Sequence, residues 1–199
     1  MALTRLGLNQ AINLATNTTG TLAVANGGTG LASGTSGQFL KFTGTTTLAS
    51  ASSGKIAQVI EDAETGHSTI NSTTYADVSL QATITPSATT SKVLVMANLN
   101  NIKINSSSGG NVQIRIQHDQ GGSSFTNLAE YEGVVGYNDN DVNNPSPMFL
   151  HSPSTTNAII YKVQAALLTG FSSGSARFNN RNSDGGYIRS SLILMEVLA

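Results

Sequence analysis

Several stretches of the sequence hold residue types that can do chemistry. Gly170-Phe171-Ser172-Ser173-Gly174 has the spacing of a G-x-S-x-G nucleophile elbow, in which a strained strand-to-helix turn exposes the serine hydroxyl. The residues that follow, Ser175 to Asn180, read as strand and turn rather than helix, so a β-turn is expected here. The glycines at Gly27, Gly28, Gly30 and Gly34 fall short of a dinucleotide fingerprint. Ser33 stands where the third glycine belongs, and no βαβ pattern surrounds it. Gly54-Lys55 runs into Ile56 and has no upstream glycine at P-loop spacing. Asp139-Asn140-Asp141-Val142-Asn143 begins like a calcium loop, because alternating short oxygen side chains can converge on one cation. Asn144 at the sixth position and Leu150 at the twelfth exclude an EF-hand, so the segment is read as a solvated polar turn. His67, His118 and His151 lack ligand spacing, and each is expected at a turn or strand edge. Glu61, Asp62, Glu64, Glu130 and Glu132 are the carboxylates from which a glycosidase pair would be drawn, but nothing in the sequence pairs any two of them. The longest polar loop, Gly133 to Pro147, places Tyr137 beside Asn138, Asp139, Asn140 and Asp141. A flat ring flanked by amide and carboxylate oxygens suits the apolar face and hydroxyls of a sugar, so Tyr137, Asn138, Asp139 and Asp141 form the candidate ligand site. No catalytic residue, metal ligand or cofactor is assigned.

Composition narrows the partners. Charged residues make up 11% of the chain, where soluble proteins usually carry about 25%, and Ser, Thr, Asn and Gly fill the gap. Ten basic and eleven acidic residues give a net charge of −1, too little positive charge to neutralise a run of phosphates. Nucleic acid and anionic membranes are therefore not expected partners. There is no cysteine, hence no disulfide framework or thiolate metal site. No apolar run approaches the ~18 residues of a membrane span, and the first twenty residues do not read as a signal peptide. Assembly in a cytoplasm is the expectation.

The elements that would position these residues fall into two regions. Residues 1–54 contain two charges, Arg5 and Lys41, and are dominated by Gly, Thr, Ala and Ser from Gly20 onward. Such a segment buries too little to offset its own ordering entropy, so it either stays flexible or borrows a core from neighbours. Yet it keeps Leu22, Val24, Leu31, Phe39, Leu40, Phe42 and Leu48, which a plain linker has no need of. Leu3, Leu6, Leu8, Ile12 and Leu14 make an imperfect apolar stripe compatible with one short helix, marginal alone, and are the candidate anchoring residues.

From Lys55 to Ala199 the pattern is that of strands. Val78, Leu80, Ala82 and Ile84 alternate with polar residues until Pro86 ends the run. Val112, Ile114 and Ile116 repeat the alternation, as do Ile159, Tyr161, Val163, Ala165 and Leu167. Lys92 to Asn98 is almost continuously apolar, as expected of a central strand covered on both faces. Tyr187 to Ala199 is rich in Ile, Leu and Val. Weaker strands are expected near Ile56 to Ile60, Ala129 to Val135, Met148 to His151 and Ser175 to Asn179, for a total of eight or nine. The fold class expected is all-β: an extended low-complexity segment over residues 1–54, then an antiparallel β-sandwich, jelly-roll-like head over residues 55–199.

Gly20-Thr21-Leu22-Ala23-Val24-Ala25-Asn26-Gly27-Gly28-Thr29-Gly30 resembles a segment found in many tail fibre and related appendage proteins of tailed bacteriophages. The Tyr75 to Val95 stretch, Tyr161 to Ala165 and the closing Leu194 to Ala199 are similar to β-rich heads of such fibres. The resemblance implies a virion location, a homotrimer, attachment to other virion proteins through the N-terminal segment, contact with a host surface glycan or protein, and no catalytic residue. The near absence of a shaft departs from long tail fibres. A trimeric capsid decoration, cement or head-fibre protein has the same outline. A carbohydrate-binding β-sandwich module is the alternative from another class, and would need aromatic or carboxylate side chains convergent in one pocket.

Overall fold

The computed structural model describes residues 29, 31, 36, 38–45, 47–51, 54–105, 110–122, 124–136, 142–170, 174–179 and 188–199. These form fourteen strands and no helix. The chain divides into two units, Met1–Gly54 and Lys55–Ala199. The expected N-terminal helix, its stripe Leu3, Leu6, Leu8, Ile12 and Leu14, and residues 20–28 and 30 of the glycine-rich segment lie outside the described residues.

Within the first unit, β1 (Phe39–Phe42) and β2 (Leu48–Ala51) pair as an antiparallel hairpin. Thr43 N–H donates to the Thr47 carbonyl at 3.0 Å and closes the turn. Regular structure here departs from the extended segment that composition suggests, because β-branched Thr and aromatic Phe favour pairing even among glycines. Phe39, Leu40 and Phe42 nevertheless stay 63%, 53% and 67% exposed. An isolated two-stranded hairpin is marginal in water, and this one leaves its apolar side chains uncovered.

The second unit is a jelly roll. β3 (Ile56–Glu64), β6 (Lys92–Asn98), β11 (Met148–His151) and β14 (Ser190–Val197) form a sheet in the order β11-β6-β14-β3. β4 (Ser68–Ile70), β7 (Ile102–Asn105), β10 (Val142–Asn143) and β13 (Ser175–Phe178) form another in the order β10-β7-β13-β4. Three pairs, β3 with β4, β6 with β7 and β10 with β11, are separated by only three or four residues, and β13 and β14, eleven residues apart, are joined by the Ser190–Asn179 hydrogen bond, so the eight segments act as four long strands broken along one line. Facing them is the sheet β5-β12-β8-β9, made of β5 (Ala76–Ile84), β8 (Gly110–Asp119), β9 (Thr126–Gly136) and β12 (Ile159–Leu167). With each broken strand counted once, the sheets read 1-8-3-6 and 2-7-4-5. The pairs 4-5, 3-6, 2-7 and 1-8 nest inside one another, which is an antiparallel hairpin rolled into a double-sheet sandwich.

Alternation decides what fills it. Val78, Leu80, Ala82 and Ile84 from β5 and Ile159, Tyr161, Val163, Ala165 and Leu167 from β12 are all buried, and they meet Val93, Val95, Leu192 and Leu194 from the opposite sheet. Three short strands escape the sequence pattern. β4, β7 and β10 span two to four residues, too few for a period to register. The chain crosses from β7 to β8 at Gly110, where a Cβ would sit 2.5 Å from Ile104 Cγ2, so only glycine fits beneath that buried side chain.

One buried amide ties the line where the strands break. Asn179, 2% exposed and in the left-handed region at φ 51°, ends β13. Its Nδ2 donates to the carbonyls of Glu64 and Gly66, both at 3.0 Å, across the β3–β4 break. Its Oδ1 accepts from Ser190 Oγ at 2.6 Å at the start of β14. Its N–H reaches the Asn100 carbonyl at 3.1 Å between β6 and β7. Asparagine suits the position twice, because its short side chain tolerates positive φ and its amide both donates and accepts. Asn179→Leu should lower the unfolding free energy of the full-length chain by about 2 kcal/mol, since the buried Ser190 hydroxyl and the partly accessible carbonyls of Glu64 and Gly66 lose their partner. Asn179→Gly, which keeps the backbone angle, should cost less. Urea titrations of both variants measure the difference.

Candidate functional site

The candidate ligand residues Tyr137, Asn138, Asp139 and Asp141 lie outside the described residues, but the surrounding frame corrects the loop that holds them. Positions 133–135, where the expected strand Ala129 to Val135 and the expected loop Gly133 to Pro147 overlap, belong with Gly136 to β9, with Val134 opposite Val112 and Val135 opposite Asn111. Positions 142–143 form β10. Pro145 and Pro147 then run beside β6, their carbonyls accepting from Leu99 N–H and Ala97 N–H at 2.9 Å. The expected loop is thus shortened at both ends, by β9 up to Gly136 and by β10 from Val142.

The expected enzyme-like groups take structural partners. Gly170 and Gly174 have positive φ and strand β13 follows them, while Phe171, Ser172 and Ser173 lie outside the described residues. Glu61 pairs with Arg189 at 2.9 Å, Asp62 accepts from Gln81 N–H at 2.8 Å, and Glu130 accepts from Asn127 at 2.8 Å. Among the described residues no three His, Asp or Glu side chains converge as a metal site.

The two outer faces of the sandwich differ in kind. On β5-β12-β8-β9 the outward side chains satisfy one another. Arg115 donates from Nε and Nη2 to Gln164 Oε1 at 2.8 and 2.6 Å, and Gln164 Nε2 donates to Asp77 Oδ1 at 2.7 Å. Lys162 pairs with the same Asp77 oxygen at 3.1 Å. The Arg115 guanidinium lies 3.9 Å from the Tyr75 ring centroid, and the Lys162 ammonium 4.0 Å from that of Phe125. Gln117 donates to Asn127 at 2.7 Å and extends the web to β9.

The other face is apolar. Register places Leu150, Leu94, Met195 and Val59 in one row across β11-β6-β14-β3, and Met148, Met96, Ile193 and Glu61 in the next. At one end the apolar surface gives way to a third row, in which Ile56 and Val197 lie beside the exposed Lys92. Met148, Val59, Leu150 and Ile56 are 58%, 53%, 48% and 47% exposed, while Leu94, Met96, Ile193 and Met195 are half-buried. Lys92–Asn98 therefore is the interior strand its apolar run suggests, but only Val93, Val95 and Ala97 enter the core. The expectation of cover on both faces is corrected. The head buries one side of the strand, and the described residues leave the other open. A patch of this kind on a polar, weakly charged chain is the mark of an interaction surface. Beside it, Tyr131 Oη donates to the Met148 carbonyl at 2.7 Å, and a groove of about 380 Å³ lined by Ile114, Glu132 and Pro145 to Met148 separates the edge strands.

Between the sheets, His118 and His151, expected apart at turns or edges, meet with ring centroids 4.6 Å apart, edge to face. The sequence gives no signal for this, because β8 and β11 belong to different sheets. His151 Nδ1 is 2.7 Å from the hydroxyl of Tyr161, which is fully buried. His118 Nδ1 is buried with no hydrogen-bond partner. Burial, then the neighbouring His118, pushes the His151 pKa down to about 4. Burial also lowers that of His118, against the opposing pull of Asp119. Near the same end, the fully buried Glu196 accepts from Ser87 N–H and Oγ, both at 2.6 Å, and from Gln58 Nε2 at 2.7 Å. Burial alone would raise its pKa, but these hydrogen bonds hold it down to about 2.

No protein-family model matches the chain, and neither does any curated protein. Solved structures that it is similar to include the VP2 subviral particle of infectious bursal disease virus, at 10% identity and a TM-score of 0.41, over 79% of this chain and 37% of that one. A structure of the Gt strain of the same virus is similar at 14% identity and a TM-score of 0.38, over 80% of this chain and 42% of that one. The chain spans less than half the length of either.

The interior groups make stability fall with acid in two steps. A histidine held neutral in the fold contributes stability that is present above its unfolded pKa near 6.5 and lost as the pH falls towards about 4. A carboxylate held charged contributes stability that is present above about 4.5 and lost as the pH falls towards about 2. Chemical denaturation between pH 7.5 and 4 should show a loss of roughly 2 kcal/mol from the histidines. The double variant His151→Phe with Tyr161→Phe, which removes both ends of the hydrogen bond, should flatten that first step. A slope equal to wild type would place the titration elsewhere.

Proposed function

We propose that this chain is a structural subunit of a bacteriophage virion, a short fibre-type appendage assembled as a homotrimer. In this reading residues 1–54 attach the subunit to the particle and form a short shaft, and residues 55–199 form the head that meets the host surface. The observation that carries it is the apolar outer sheet face on an otherwise polar jelly roll, which suits a protein whose working state is an assembly. Two features support it. The Gly20 to Gly30 segment resembles those of tailed-phage fibres. Phe39, Leu40 and Phe42 remain exposed on their hairpin, so association between copies has something to bury there too.

The role of the head is recognition rather than turnover. Loops on a rigid β scaffold vary freely while the scaffold holds their ends, and residues 137–141 are spanned by β9 and β10. Tyr137 and Asp139 are the residues proposed to contact a host glycan or protein.

Immunogold labelling of purified particles should place the chain on the tail. Label spread over the shell would favour a capsid decoration or head-fibre protein, and no label would reject the virion reading. Deleting residues 1–19 should leave a folded head, judged by circular dichroism, that no longer co-purifies with particles. Particles carrying Tyr137→Ala with Asp139→Ala should adsorb to host cells at least about tenfold more slowly at unchanged particle yield, the size expected from losing one aromatic anchor. Unchanged adsorption would remove the receptor role from this loop.

A further inference from the structure

The apolar face leaves one question of chemistry: what covers it. We infer that two further copies of this chain do, with the β11-β6-β14-β3 faces of three heads closing into a triangular prism about the threefold axis. This rests on the homotrimer reading and goes beyond it by naming the surface and its packing.

Dimensions favour the arrangement. Strands about 4.8 Å apart make a four-stranded face about 19 Å wide, and three such faces closed edge to edge lie about 5.5 Å from their common axis. Two stacked sheets sit about 10 Å apart, each about 5 Å from the midplane that its side chains reach. Three four-stranded sheets therefore bring their side chains together on the axis at ordinary packing distance, with neither a channel nor a clash.

Chemistry agrees. Across the two complete rows, seven of the eight side chains are apolar, and the eighth, Glu61, lies on edge strand β3 in an ion pair with Arg189. At a prism corner that pair stays at the rim, where exposed ion pairs are tolerated. Met96, Met148 and Met195 are three of the four methionines in the chain, and all three lie on this face. Unbranched, polarizable methionine adapts its shape, which suits an axis where identical side chains from three copies must interdigitate. The opposite sheet, with its polar groups committed to one another, offers no such surface.

In a prism, β3 of each head meets β11 of the next, so Val59 of one copy approaches Leu150 of its neighbour. The chain has no cysteine, which makes a cross-linking test free of background. In the full-length protein carrying Val59→Cys and Leu150→Cys together, a short bismaleimide should give covalent trimers on a denaturing gel, while neither single variant should cross-link. Independently, Leu94→Glu with Met195→Arg, at half-exposed positions where the fold tolerates charge, should raise the concentration at which trimers dissociate by at least about 100-fold in native mass spectrometry. Unchanged circular dichroism and protease resistance of the monomer would confirm folding. A wild-type trimer that survives the charged substitutions and gives no cross-link overturns the prism and leaves the homotrimer standing. Cross-linked dimers with a dimeric wild type keep the face as a self-association surface but overturn the threefold arrangement. A wild-type monomer at ~10 μM overturns both.

Discussion

The four long strands of one sheet all break along a single line, and a broken sheet leaves backbone groups without their ladder partners. Asn179 answers that constraint. By donating to Glu64 and Gly66, accepting from Ser190 and hydrogen-bonding through its own N–H to Asn100, it links the interruptions of three neighbouring strands. Ser190 Oγ also accepts from Asn100 N–H at 2.9 Å, so the network closes on itself. Asn179 and Ser190 are themselves buried, so the bond between them is stronger than it would be at the surface and either partner orphaned would be costly. The break divides the sheet into a half that backs the core near Ile104 and Phe178 and a half whose outer side is apolar. The candidate surface exists in its present form because the sheet is cut and re-tied at this point.

The sandwich has two ways of handling an outward sheet face. On β5-β12-β8-β9, long side chains lie across the strands and pair, with Arg115 and Lys162 covering Tyr75 and Phe125. That face is finished within one copy of the chain. On β11-β6-β14-β3 the outward residues are mostly Leu, Met, Ile and Val, with the charges of Glu61 and Lys92 towards its margins, and the apolar side chains gain only by leaving water. An apolar surface beside a completed polar one gives the head a direction, and with it an inside and an outside in any assembly it joins.

The interior at one end carries polar groups a core does not need for packing: His118, His151, Tyr161 and Glu196. Each is held in the protonation state it has at neutral pH, the imidazoles uncharged and the carboxylate charged, by burial in one case and by donated hydrogen bonds in the other. Both devices fail in the same direction on acidification. Glu196 holds Ser87 in the connection between β5 and β6, so that connection depends on a single ionised oxygen pair.

Local alternation in the sequence was enough to establish the strand class, the identity of the main strands and which side of each enters the core. Val78 to Ile84, Val112 to Ile116 and Ile159 to Leu167 carry a period of two that needs no partner to be read. β4, β7 and β10 are too short to carry a period, and the hairpin at 39–51 is hidden by a composition that reads as linker. Through-space facts had no local trace. That Asn179 would stand at a break shared by three strands, that His118 and His151 would touch from opposite sheets, and that the outward half of Lys92–Asn98 would be left open by the described residues all depend on strands distant in sequence becoming neighbours. An apolar run such as Val93 to Ala97 says that both faces want burial. Only the order in which sheets stack determines which face finds it within the sandwich.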